Sequence, residues 1–116
     1  MDERKRLIRE MVIGILLKED ANEIPCQYDE LKSFLAEALT RRACIENRAN
    51  GISVFPKEHH LEVSDSTILL GVFLDLVDEK IITLGFDENN TEFPWFRPHS
   101  RALKNLKKLS AILNLL

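Results

Sequence analysis

The sequence predicts a mainly helical α+β domain, with three to four helices and one β-hairpin in its C-terminal half. Three observations carry that class. Apolar residues recur at helical spacing in several separate stretches. Two β-prone runs, "KIITLGF" and "TEFPWF", flank the turn-forming tetrapeptide "DENN". At 116 residues, with 45% hydrophobic and 30% charged side chains, the chain suits one hydrophobic core, so a single domain over residues 1–116 is expected.

The elements follow in order. Over residues 4–18, Leu7, Ile8, Met11, Val12, Ile15 and Leu16 fall on one helical face, with Ile13 and Leu17 on the other, so this helix is expected at the centre of the core. "KEDANEIP" reads as a loop. Asp29 is a candidate cap for a second helix carrying Leu31, Phe34, Leu35, Ala38 and Leu39, which ends either near Thr40 or at Asn50-Gly51. "ISVF" and "HLEV" are candidate short strands. "SDS" (residues 64–66) offers caps for "TILLGVFLDLVDE", which is apolar on nearly every side and therefore expected to be a second buried helix. Gly14 and Gly71 interrupt the two core helices, suggesting a close crossing of their backbones. After the hairpin, whose second strand Pro94 should confine to an edge or end, Ser100 is a candidate cap for a last helix.

This order resembles the layout of a winged helix with an added C-terminal helix, in which the third helix reads the major groove and the hairpin is the wing. The resemblance is one of layout alone, with no family motif matched. Charge argues against the activity it implies. Residues 1–57 hold 10 bases and 10 acids, residues 58–92 hold 1 base and 9 acids, and residues 93–116 hold 5 bases and no acid. The third helix carries Asp65, Asp75, Asp78 and Glu79 without one Arg or Lys, and phosphate-driven binding needs cations there.

Association with protein is the expected function: an adaptor, inhibitor or regulatory subunit without enzymatic activity. Trp and Arg dominate protein-binding hot spots, which points to Phe93, Trp95, Phe96 and Arg97, although at least two of the three rings are expected to bury. In the last helix Leu106, Leu109 and Leu113 recur at three and four residues, a stripe suited to a homodimer or a larger partner. The alternative is a nucleic-acid-binding regulator of winged-helix type. Its phosphate contacts would be Arg97, Arg101, Lys104, Lys107 and Lys108, or the N-terminal Arg4, Lys5, Arg6 and Arg9.

Other chemistry is not encoded in a recognisable pattern. Glu58-His59-His60 lacks a second ligand cluster, so no metal is expected. There is no nucleophile elbow or phosphate-cradling glycine loop, and no cofactor is expected. Cys26 and Cys44 are too few for a disulfide framework and read as buried or idle thiols. The longest apolar runs fall far short of the roughly 20 residues that span a bilayer. With acids mixed into the N-terminal basic segment and no cleavage site, a cytoplasmic location is expected.

Overall fold

A computed structural model describes residues 3–21, 26–49, 51, 61–85 and 88–115, with backbone alone at positions 19–21, 47–49 and 110–115. The elements run α1 (Glu3–Ala21), β1 (Cys26–Gln27), α2 (Tyr28–Ala49), α3 (Val63–Asp78), β2 (Ile82–Leu84), β3 (Trp95–Pro98) and α4 (Ser100–Leu115). The predicted mainly helical α+β class is the observed one, and the predicted hairpin follows the third helix.

The α1 helix lies against α2, α3 and α4, as its all-round apolar surface predicted. Its Ile8, Val12 and Leu16 meet Leu31 and Leu35 of α2, Leu69, Val72, Phe73 and Leu76 of α3, and Leu103 of α4 in one buried cluster. Phe96 and Ile82 close the cluster from the sheet. Of the two possible ends for the second helix, the longer is realised, and Gly51 follows it with φ +78°.

The sheet has the order β1-β3-β2, all antiparallel. No sequence pattern marks β1, a two-residue strand that pairs Cys26 with Phe96 and Gln27 with Trp95. Across the hairpin Ile82 faces Pro98 and Leu84 faces Phe96. Its second strand starts at Trp95, four residues later than "TEFPWF" suggested, because Pro94 ends the pairing. Within "HLEV", Val63 is the first residue of α3 and not a strand residue; "ISVF" and Glu58-His59-His60 lie outside the described residues.

Three predicted caps are already helical. Asp29, Ser64 to Ser66 and Ser100 sit inside their helices. The α2 start is instead held from the sheet, where the Tyr28 N–H donates to the Pro94 carbonyl at 2.8 Å. At α3 no side chain caps the first turn, and Asp65 is used elsewhere. The α4 start is fixed by the backbone of His99, whose N–H donates to Ile81 and whose carbonyl accepts from Leu103.

The junction between α3 and β2 is a Schellman turn. The Lys80 N–H donates to Val77 and the Ile81 N–H to Leu76, with Lys80 left-handed at φ 63° and the Ile81 and Leu76 side chains buried. This turn aims β2 back along the core. Gly85 ends that strand at φ +85°, its N–H donating to Trp95, and a Cβ there would stand 2.4 Å from the Thr91 carbonyl oxygen. The proposed crossing at Gly14 and Gly71 is not made: an added Cβ at either meets nothing within 4 Å.

Candidate interaction surface

The charge segregation in the sequence has a structural cause. On α1, Arg4, Lys5 and Arg9 reach three acids of the α3 segment. Arg4 donates from Nε and Nη2 to both carboxylate oxygens of Asp65, at 3.0 and 2.9 Å. Arg9 donates from Nη1 and Nη2 to the two carboxylate oxygens of Glu79, at 2.8 and 3.0 Å, and Lys5 Nζ stands 3.0 Å from Asp75. The hydrogen bond to Asp65 raises the Arg4 pKa above its ordinary value, against the opposing effect of burial. Three of the four N-terminal cations offered as phosphate contacts are therefore committed to carboxylates; Arg6 is exposed.

What α3 turns outward is apolar. Val63, Thr67, Leu70, Leu74 and Val77 follow one another at four- and three-residue steps, which places them on one stripe of the helix. Val63 is 84% exposed, Leu70 43% and Leu74 55%. The expectation that α3 is buried on nearly every side is thus corrected. Leu69, Val72, Phe73 and Leu76 face the core, Ile68 and Val77 are half-buried against it, and Val63, Leu70 and Leu74 face out.

The aromatic rim adjoins this helix. Phe73 of α3 holds Tyr28, Phe96 and Phe93 around it, at centroid distances of 5.1, 5.2 and 6.1 Å, and Phe93 also stacks at a tilt on Tyr28 at 5.2 Å. Phe93 remains 51% exposed. Trp95 is half-buried and Arg97 exposed. Phe96 has to be withdrawn from the partner-binding set, because alternation along β3 points it into the core, where it is buried. Burial also pushes the Tyr28 phenol above its ordinary pKa, helped by the neighbouring Asp29 carboxylate.

The α4 helix forms a second surface. Leu103 anchors it in the core, Leu106 is half-buried, and Leu109 is 56% exposed; the Leu113 side chain lies outside the described residues. Arg101, Lys104, Lys107 and Lys108 are all exposed and have no ion-pair partner among the described residues. The predicted partner set therefore divides into a rim beside α3 and a face of α4.

No family model, curated protein or solved structure matches this chain.

An open groove of about 520 Å³ between α1 and α2 is lined by Glu3, Arg4, Leu7, Leu39, Arg42, Ala43 and Glu46, but Arg4 binds Asp65 and Arg42 pairs with Glu46 at 3.2 Å. Among the described residues no three His, Cys, Asp or Glu side chains converge as metal ligands. Cys26 is buried and Cys44 half-buried, and neither is joined in a disulfide among the described residues. No described helix is long and apolar enough to cross a membrane.

Proposed function

We propose that this chain is a non-enzymatic protein-interaction module of the cytoplasm, an adaptor or regulatory subunit that docks through the outer face of α3 and the adjoining Phe93. The observation that carries this reading is the exposed stripe of Val63, Leu70 and Leu74 on a helix with no cation of its own. A helix offering apolar residues at such steps suits a second helix or an apolar groove. The same helix is ill suited to a phosphate backbone, because its acids have drawn the nearby cations of α1 into ion pairs.

Replacing Leu70 and Leu74 together by Glu tests the reading. Both side chains are exposed, so stability should change by no more than about 0.5 kcal/mol per site, while every protein complex the wild type forms should be lost. Complexes that survive the double substitution would refute it. The second reading, nucleic-acid binding, draws on the exposed cations of α4. It predicts salt-sensitive binding of labelled duplex or single-stranded DNA that Lys104→Glu with Lys108→Glu removes, and the docking reading predicts none.

A further inference from the structure

We infer that the occupant of the α3 stripe is α4 of a second copy of this chain, so that two copies form a closed dimer containing the same α3–α4 contact twice. The inference deepens the proposed function and rests on it.

Charge complementarity identifies the occupant. Glu62 stands at the N-terminal end of the stripe and Asp78 at its C-terminal end, and Glu92 precedes Phe93, whose ring packs on Phe73 of the same helix. All three are exposed and make no ion pair among the described residues, whereas Asp65, Asp75 and Glu79 are paired by α1; Glu62 feels Arg4 only at longer range. The α4 helix presents the opposite pattern. Arg101, Lys104 and Lys108, at steps of three and four, form one cationic edge, and Leu106 and Leu109 form an apolar edge on the same helix. An acid-rimmed apolar stripe and a cation-edged leucine helix are complementary surfaces carried by one sequence.

Length and placement agree. Both α3 and α4 have 16 residues, so each is about 24 Å long and one can lie along the whole of the other. Within one copy α4 is held on α1 by Leu103, with Leu109 exposed and its cations turned to solvent. A two-fold axis that brings α4 of one copy onto α3 of the other necessarily brings α4 of the second onto α3 of the first, which closes the assembly without a free end.

Charge-swap sedimentation tests this. One variant carries Glu62→Lys with Asp78→Lys, and the other carries Lys104→Glu with Lys108→Glu; all four positions are exposed, and circular dichroism verifies that each variant folds. The wild type should dimerise. Each variant alone should dimerise at least roughly tenfold more weakly, since like charges now face one another. Mixed in equal amounts, the two should recover a heterodimer, because in the mixture both contacts pair opposite charges. A wild type that stays monomeric at high concentration overturns the inference. So does a dimer that the α3 substitutions leave intact, which would assign it to α4 packing on α4, and so does a mixture that fails to recover. None of these results depends on a foreign partner, whose loss on substituting Leu70 and Leu74 is the separate criterion for the docking function.

Discussion

Removing Arg4 should destabilise the fold more than removing the carboxylate it binds, and the asymmetry follows from burial. The Asp65 side chain is 10% exposed and that of Arg4 45%. In Arg4→Met the carboxylate is left with neither its two N–H donors nor full access to water. Breaking a fully buried ion pair in this way costs about 3–5 kcal/mol. Since Arg4 is nearly half exposed, solvent screens the pair and the expected cost falls to about 2 kcal/mol. In Asp65→Ala the guanidinium can turn into water, so about 1 kcal/mol is expected. The double variant should lose less than the sum of the two, with a coupling of about 1 kcal/mol. Urea unfolding followed by the fluorescence of Trp95, the only tryptophan, measures all three variants. Equal costs for the two single variants, or costs that simply add, would show that the pair is solvated and would refute the reasoning.

Four further outcomes are expected. Gly85→Ala should cost about 2 kcal/mol or more, because the left-handed backbone and the Thr91 carbonyl both oppose a Cβ, whereas Lys80→Gly should stabilise by up to about 1 kcal/mol by relieving a left-handed Lys; both are read by urea unfolding. Gly14→Ala should stabilise by about 0.5–1 kcal/mol, since the helix gains propensity and the new methyl meets nothing, and thermal unfolding checks it. Tyr28 is the only tyrosine, so an ultraviolet pH titration reports it alone; it should ionise above the ordinary phenol value in the folded protein. Its folded pKa being raised, the protein should hold this contribution below the unfolded value and lose it as pH rises through the folded one.

The parts of the fold legible in the sequence are those with a period. The helices are readable because apolar residues recur at helical spacing over many residues, and the hairpin because two β-prone runs flank the turn residues "DENN". A two-residue strand such as β1 has no period to detect. The caps were misplaced because Asp29 and Ser100 are good capping residues, yet backbone groups at Pro94 and Ile81 already serve those helix starts. The ion pairs join residues 61 and 70 positions apart, and no local pattern encodes such a partner. At the candidate site, Phe93 and Leu109 were anticipated, whereas Val63, Leu70 and Leu74 were not. The sequence of α3 is apolar on both faces, and composition cannot tell a face buried in the core from one that waits for a partner. The four-three repeat of Val63, Thr67, Leu70, Leu74 and Val77 was the available signal, and it is obscured by Leu69, Val72, Phe73 and Leu76 on the other side.

The most direct test of the docking face is site-specific photo-crosslinking in living cells from a photoreactive side chain at position 74, with one at the exposed position 10 as reference. Covalent adducts to protein, at position 74 and not at position 10, are the predicted result, and their masses identify a second copy or another chain. Adducts to nucleic acid, or none above the reference, would contradict it.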